Sequence, residues 1–512
     1  MPDDLQSQII SCAGGLDTSR DVLSQGQQQP GSAVRLINYE ASLNGGYRRI
    51  SGFTNSYGTV TGTGKVLGVC VANGVNDGIF ACRKPSAGNN YFHKWDATAE
   101  SWTAITTSGS PTMTGVNKVR MIPYNFSEDR ILLVDGVNPA AYYDGTTYTQ
   151  ITHANAPSDP TVGFDFKNHI FLAGDSSEPY MLYFSAPFDE TDFAPASGAG
   201  AINVGFEIVQ IRPFRDELYI FGTNQIKKLA GNSVADFVVA TVTSDLGCIA
   251  ADSVIEIAGD LLFLGPDGLR PVSGTDKIGD VNLETVSKPI QAIVSDIIQN
   301  QDLDKLSTVV VRQKSQFRIL FETAETLGVI GGLRQSPNGI GFEFGQLLGI
   351  DATCASSGYV GKTEFVIHGD SSGKVHRQEL GTSFDGTDIF SLFQTPYFYF
   401  GDTELRKIFY KISTFFRSEG TNSIIMSVVY DYEDNQVSNP GNFTLSTEGA
   451  AAFYNEAEYD ATAIFDGNPS PVIETNFSGS GKSVSFRYVT NDSNASHNIQ
   501  GLSILFGLGD RR

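Results

Sequence analysis

The chain has 512 residues and a formal net charge of −22 at pH 7, because 57 aspartates and glutamates outnumber 35 lysines and arginines. This acidity argues against sequence-independent binding of a nucleic-acid backbone, which needs clustered Lys and Arg that displace counterions. The length and a hydrophobic content of 40% indicate a folded protein of two to four domains, or one large repeat domain with a satellite.

The first 60 residues differ in character from the rest of the chain. They include the polar run GQQQP, which ends at Pro30, and they have few continuous apolar stretches. This composition predicts an extended N-terminal arm and docking segment over residues 1–60. The start MPDDLQSQII lacks the basic and apolar regions of a secretory signal, and no run of about 18 apolar residues predicts a membrane span, so we expect a protein kept in the cytoplasm where it is made.

A repeated unit occupies residues 61–400: a polar break, four or five apolar residues, then a Gly or Asp turn. Seven such apolar runs occur: IFAC at 79–82, ILLV at 131–134, IFLA at 170–173, LYIF at 218–221, LLFL at 261–264, FRILF at 317–321 and FVIH at 365–368. They lie roughly 40 to 55 residues apart, which is typical of propeller blades. They lack polar alternation, which indicates strands buried on both faces. The sequence therefore predicts an all-β protein with a β-propeller-like body of five to seven blades. The pattern does not decide between a complete and an incomplete propeller.

One segment near 287–300 has helical rather than strand periodicity. Ser287 is placed to cap a helix and Pro289 suits its first turn. The apolar positions recur at helical spacing, at Ile290, Ile293, Val294, Ile297 and Ile298. We expect one short inserted helix, which either packs on the edge of the propeller or forms an interface with a neighbouring subunit.

From about residue 401 the predicted strands lengthen and alternate between apolar and polar positions, as in KIFYKISTFFRS and NSIIMSVVYDYE. This alternation indicates sheets with one buried face. Residues 401–512 are therefore predicted to form a separate C-terminal β-sandwich-like domain or an enlarged final blade.

No motif in the sequence predicts catalysis, a cofactor or a metal. The stretch GSGKS lacks the leading glycine of a phosphate-binding loop and is followed by a strand pattern instead of a helix. The six histidines lack metal-ligand spacing, and the five cysteines, odd in number and without C-x-x-C spacing, indicate buried reduced thiols. We expect no catalytic, cofactor-binding or metal-binding residues and no enzyme activity, although a carboxylate pair for glycoside hydrolysis stays open because such residues meet only in the fold.

The stretches GGLDTSRD (residues 14–21) and AVRLINYEASLNGGYRRISGF (residues 33–53) resemble the N-terminal signature of the tail nozzle, or tail tubular, proteins of short-tailed bacteriophages, also called hub or head-tail stabilisation proteins. The C-terminal half is similar in the same way, in GKVHRQELGTSFDGTDI, LRKIFYKIS and IQGLSILFG. The matching N-terminal residues are Asn38, Tyr39, Glu40, Gly45, Gly46, Tyr47, Arg48, Arg49, Gly52 and Phe53.

This resemblance implies a structural virion protein in the short tail, assembled in the cytoplasm of the bacterial host. It implies a ring of six copies forming the distal channel for genome ejection. The implied partners are the chain itself, the tail adaptor protein, a tail fibre or tailspike, a needle or plug protein, and viral DNA that passes without sequence-specific binding. No catalytic residues are implied.

Under the resemblance, the candidates for the subunit or adaptor interface are Asn38, Tyr39, Glu40, Gly45, Gly46, Tyr47, Arg48 and Arg49. Two interpretations of the Gly45–Arg49 turn are open: a glycine hairpin with one cation–π contact, or a docking segment in which Arg48 or Arg49 pairs with a neighbour's carboxylates.

A second function stays open beside the nozzle: a carbohydrate-binding or glycoside-cleaving β-propeller that acts on host surface polysaccharide. Stable rings in solution favour the nozzle, whereas a monomer that binds or cleaves capsular polysaccharide favours this alternative. For the nozzle, the net charge leads to a further expectation, that carboxylates line the lumen and repel the passing DNA.

Overall fold

The computed structural model describes residues 5–74, 77–86, 91–111, 113–273, 285–336, 339–447 and 471–509. Over these residues the chain is all-β, built as a propeller joined to a β-sandwich, which confirms the predicted fold class. None of the helices in these ranges is long and apolar enough to cross a membrane. Short 3-10 turns lie at Pro195–Ser197, Ala251–Ser253, Lys288–Ile290, Leu303–Lys305, Arg312–Lys314 and Asp431–Glu433.

The N-terminal residues are woven into both parts of the molecule and do not form an extended arm. They form β1 (Leu5–Ser11), α1 (Val22–Gln28), β2 (Arg35–Ile37), β3 (Tyr39–Ala41), β4 (Tyr47–Arg49) and β5 (Phe53–Thr54). Strands β1 to β4 join the sheets of the sandwich, and β5 joins the propeller. The arm predicted for residues 1–60 is therefore corrected over residues 5–60, and residues 1–4 lie outside the described residues.

The described residues form seven propeller blades in chain order. Blade 1 comprises β6 (Thr63–Ala72), β7 (Gly78–Lys84), β8 (Phe92–Asp96) and β9 (Ser101–Ala104), and blade 2 comprises β10 (Thr106–Thr107), β11 (Arg120–Asn125), β12 (Asp129–Val134), β13 (Ala141–Tyr143) and β14 (Thr147–Gln150). Blade 3 comprises β15 (Val162–Phe166), β16 (His169–Ala173), β17 (Met181–Phe184) and β18 (Gly200–Asn203), and blade 4 comprises β19 (Gln210–Phe214), β20 (Glu217–Phe221), β21 (Ile226–Ala230) and β22 (Val238–Thr243). Blade 5 comprises β23 (Ile255–Ile257), β24 (Asp260–Gly265) and β25 (Gly268–Pro271). Blade 6 comprises β26 (Ser307–Val311), β27 (Gln316–Leu320), β28 (Gly328–Ser336) and β29 (Gly339–Leu347), and blade 7 comprises β30 (Cys354–Val360), β31 (Thr363–Gly369), β32 (Val375–Gln378) and β5.

Each of the seven apolar runs found in the sequence forms the strand next to the innermost strand of one blade, namely β7, β12, β16, β20, β24, β27 and β31. In β16 all five residues are buried, as expected for a strand covered by the neighbouring blade on each side. The repeat pattern therefore marked one strand in every blade.

Blade 7 closes the propeller by combining the two ends of the repeat region. Its outermost strand is β5, which pairs antiparallel with β32 in the register Arg377 to Thr54 and Gln378 to Phe53. The Phe53 ring stacks on Phe384 at 4.9 Å between centroids and is buried. Because the closing strand comes from the start of the chain, separating blades 1 and 7 would also break this strand pairing.

The sandwich packs two sheets around a large core of aromatic and aliphatic side chains. Its strands are β33 (Ile389–Gln394), β34 (Lys407–Ser418), β35 (Asn422–Tyr430), β36 (Phe443–Thr447), β37 (Val472–Gly481), β38 (Val484–Asp492) and β39 (His497–Leu508). One sheet has the order β3-β4-β39-β34-β37 with β1 also on β39. The other continues from blade 6 through β2 into β33-β38-β35-β36, so the sandwich begins at Ile389, earlier than the predicted boundary at residue 401.

The helix predicted near 287–300 is present as α2 (Gln291–Asn300), after the 3-10 turn Lys288–Ile290. Ser287 does not cap it, since the Ser287 hydroxyl accepts a hydrogen bond from the Leu269 backbone N–H at 3.0 Å. A second helix, α1, was not predicted; Asp21 caps it by accepting from the N–H groups of Leu23 and Ser24.

Candidate functional site

The residues of the N-terminal signature meet in a layer between blade 6 and the sandwich, which we call the joint. The charged members of the joint are Glu40, Arg48, Arg49, Lys314, Arg318, Glu379, Glu419 and Asp492. They come from the β3–β4 hairpin, blades 6 and 7, and the sandwich, so side chains far apart in sequence fix the relative position of these elements.

Asn38 connects blade 6 to the sandwich. Its side-chain amide donates to the carbonyls of Leu348 and Phe390, both at 2.8 Å, and its Oδ1 accepts from the Leu348 N–H at 2.9 Å. Its backbone is left-handed, with a φ of 54°, a conformation that asparagine tolerates better than most residues. Three hydrogen bonds from one buried side chain therefore hold the end of β29 beside β33.

Glu40 is a buried carboxylate with cations on several sides. It accepts from Lys314 Nζ at 2.6 Å and from Arg48 Nη1 at 3.1 Å, and Arg318 Nη2 lies 3.6 Å away. Glu40 is 3% exposed and Arg318 is fully buried. A charge enclosed in this way is tolerated only when it is paired and hydrogen-bonded, and breaking such a pair is strongly destabilising.

Two further carboxylates complete the network. Glu419 forms a two-pronged pair with Arg48, at 2.6 Å to Nε and 2.7 Å to Nη2. Burial alone would raise the pKa of Glu419, but the hydrogen bonds and charge of Arg48 hold it below its ordinary value. Lys314 and Arg318 both pair with Glu379, and their charges outweigh burial and lower the pKa of Glu379. Glu419 and Glu379 therefore stay ionised at neutral pH.

Arg49 enters the sandwich and is 1% exposed. It donates to Asp492 Oδ1 at 2.7 Å and to the Ile389 carbonyl at 2.7 Å, and it also reaches the Asp492 carbonyl. These contacts fix the first residue of β33 against the end of β38. Arg49 thus acts as an internal brace between two strands of one sheet.

The two signature tyrosines are fully buried. The Tyr39 hydroxyl lies 2.8 Å from Nε2 of His497. The Tyr47 hydroxyl donates to the Gly31 carbonyl at 2.7 Å and accepts from the Gly15 N–H at 3.0 Å. Tyr47 therefore connects the two stretches that carry the resemblance, residues 14–21 and 33–53.

The turn between β3 and β4 is a tight hairpin with left-handed glycines, Gly45 at φ 83° and Gly46 at φ 81°. No cation–π contact of Arg48 or Arg49 is found among the described residues. Both arginines instead pair with carboxylates of their own chain. Within the subunit these pairs hold the segment to the sandwich, and its assignment to a subunit or adaptor interface stays a prediction.

The apolar face of α2, the candidate interface helix, is turned inward. Ile290, Val294 and Ile297 are buried in the core shared with the sandwich, and Ile293 and Ile298 pack against the same core. These five side chains are therefore occupied within the subunit, and an interface between this helix and a neighbouring subunit stays a prediction.

Within the described ranges, no group of three or more His, Cys, Asp or Glu side chains is placed to hold a metal ion. All five cysteines are free and buried: Cys12, Cys70, Cys82, Cys248 and Cys354. Burial raises the pKa of each thiol, to about 12 for Cys12 and Cys70. They are protonated at neutral pH and have the character of inert core thiols.

One polar feature was missed by the sequence analysis: a cavity of about 400 Å³ on the propeller axis, lined by residues on or beside the innermost strands of all seven blades. Its wall includes Lys118, Arg120, Arg212 and Asp252. These residues lie on or beside the innermost strands of blades 2, 4 and 5, and nothing in their local sequence sets them apart from surface charges. The one sequence signal that could have found them is their position in the repeat, since each lies shortly before or within the innermost strand of a blade.

No protein-family model matches this chain, and no curated protein sequence matches it. Among solved structures it is similar to the extracellular domain of a hybrid two-component system from B. thetaiotaomicron, at 10% identity and a TM-score of 0.41 over 67% of this chain and 44% of that one. The match thus spans less than half of that protein. It is also similar to the RRP9 WD40 repeats, at 7% identity and a TM-score of 0.41 over 65% of this chain and 99% of that one, and to the designed protein Ika8, at 6% and 0.33 over 64% and 99%. The fold assignment above depends on the seven sheets themselves.

Proposed function

We propose that this chain is a structural virion protein, the tail nozzle of a short-tailed bacteriophage, which assembles into a ring for genome ejection. The supporting observation is that the residues carrying the resemblance converge on the joint. Asn38 and Arg49 each connect parts of the chain that are far apart in sequence, and Tyr47 connects the β3–β4 hairpin to Gly15 and Gly31. A part that transmits force between an adaptor and a fibre needs a subunit whose propeller and sandwich move as one body, and the joint provides this coupling.

The ring needs a contact between subunits, and β1 offers one. It pairs with β39 along one edge, and no described strand pairs with its other edge. Leu5 and Ile408 flank Gly507 on the same face of this sheet, 53% and 41% exposed, and Ile9 on the same face of β1 is 70% exposed. An open edge strand beside exposed apolar side chains favours pairing with another chain. We assign this patch, Leu5, Ile9 and Ile408, to the neighbouring copy in the ring.

The charge of the chain suits this role. Six copies would bring six times the charge of −22 around one passage. Negative charge on the passage wall repels phosphates and keeps the genome from adhering during ejection. In this proposal the tail adaptor, a fibre or tailspike and a needle or plug protein bind the ring from outside, and DNA passes through it.

Size-exclusion chromatography with light scattering of the purified full chain tests the proposal. We expect a mass about six times the 55.2 kDa of one chain. Ile9→Lys should shift the mass to that of the monomer, because the lysine would have to be buried against the neighbour. Val238→Lys is the matched control, an exposed valine on the outer strand of blade 4, 62% exposed, and should leave the mass unchanged. A wild-type monomer that binds or depolymerises capsular polysaccharide would overturn the proposal in favour of a sugar-binding propeller.

A further inference from the structure

The axial cavity of the propeller has the opposite charge balance to the chain as a whole. Four cationic side chains and two carboxylates line it, whereas the chain has a net charge of −22. These six residues are Lys118, Arg120, Arg212, Arg312, Asp252 and Glu256. A concave site lined by an excess of one charge attracts ligands of the other.

One of the two carboxylates is already shared between two cations. Asp252 accepts from Arg120 Nε at 2.8 Å and lies 3.1 Å from Lys118 Nζ. Although burial would raise the pKa of Asp252, these two cations hold it well below its ordinary value. Asp252 therefore neutralises only part of the charge that surrounds it.

Arg212 has no such partner. None of the described residues forms a hydrogen bond or an ion pair with its guanidinium, and its Nε is buried without an acceptor. The guanidinium lies over the ring of Phe164, 4.5 Å from the centroid, which holds it in place. Its enclosed position lowers the pKa of Arg212 to about 10, so it is still charged at neutral pH. An enclosed cation with unused donors is unfavourable unless an anion or water pairs with it.

We propose that the axial cavity is a binding site for a small oxyanion, a phosphate or a carboxylate group, with Arg212 as the main donor. The planar fork of a guanidinium matches the geometry of both groups. The site lies within one subunit and does not depend on ring formation.

Isothermal titration calorimetry of the full chain tests this site, with inorganic phosphate in one arm and acetate in the other at constant ionic strength. We expect saturable binding of at least one anion, and the tighter of the two identifies the group. Arg212→Met should weaken that binding by about tenfold or more, the loss expected from removing one charge-assisted hydrogen bond. Arg212→Lys keeps the charge but loses the planar fork of the guanidinium, so its affinity for that anion should lie between those of the wild type and Arg212→Met.

Arg215→Met is the matched control, since Arg215 lies three residues further along the same hairpin and also over a phenylalanine, Phe214, at 4.8 Å. It lies outside the cavity wall, and its variant should bind as the wild type does. Circular dichroism establishes that each variant is folded. No binding of either anion by the wild type, or equal binding by Arg212→Met, would overturn the proposal.

Discussion

Two adjacent glycines in the joint allow the fit of the β3–β4 hairpin to be measured. Gly45 and Gly46 have nearly the same φ, 83° and 81°. A Cβ on Gly45 would meet only one atom within 4 Å, at 4.0 Å on the flexible Arg334 side chain. A Cβ on Gly46 would lie 2.4 Å from the Ile499 carbonyl oxygen and 2.4 Å from Asn498 Oδ1. The two positions share the backbone cost of alanine and differ in the available space.

Gly45→Ala should therefore lower the free energy of unfolding by about 1–2 kcal/mol, the cost of a left-handed alanine. Gly46→Ala should lower it by about 2–5 kcal/mol, because displacing the β39 backbone adds about 1–3 kcal/mol of overpacking to the same backbone cost. The assay is equilibrium unfolding in urea followed by far-ultraviolet circular dichroism. Equal losses for the two variants would refute the claim that this hairpin is seated tightly against β39.

Three further predictions follow from buried charges, histidines and thiols. Burial lowers the pKa of His497 to about 3, of His93 to about 4, and of His368 well below its ordinary value, so the unfolded chain binds protons that the folded chain does not. The stability contributed by these neutral histidines is fully present above pH 6.5 and falls as the pH drops below it, by about 2 kcal/mol per histidine at pH 5. In urea titrations at pH 7.5 and pH 5, His497→Gln should lose less stability between the two pH values than the wild type does. Equal losses for the variant and the wild type would contradict the assignment. Arg49→Met should lower the free energy of unfolding by about 2–4 kcal/mol, because it leaves Asp492 unpaired. The control Lys305→Met removes one member of an exposed ion pair and should change the free energy of unfolding by no more than about 0.5 kcal/mol. Comparable effects of the two variants would refute the bracing role of Arg49. The five thiols should resist a thiol reagent in the native protein and react in urea, whereas rapid native labelling would show that they are not buried.

The propeller could be predicted because each blade leaves a local mark. A strand covered on both faces is mostly apolar and lacks the polar alternation of a half-exposed strand, and the runs at 131–134 and 218–221 show this without knowledge of the rest of the chain. The helix α2 was predictable for a similar reason, since Ile290, Val294 and Ile297 repeat at helical spacing within one short segment.

The closure of the propeller and the joint could not be predicted in the same way. The pairing of β5 with β32 joins residues more than 300 positions apart, and a two-residue strand has no periodicity of its own. The polarity of the N-terminal residues indicated an exposed arm, yet Arg49 is buried because Asp492 and two carbonyls accept its hydrogen bonds. A charge in a sequence indicates the surface unless its partners are known, and these partners come from the far end of the chain.

The proposed nozzle is tested most directly by electron cryo-microscopy of the purified full chain. The proposal predicts closed rings in which strand β1 and the Ile9 side chain lie between neighbouring subunits. Monomers, or rings in which Ile9 faces solvent, would contradict it.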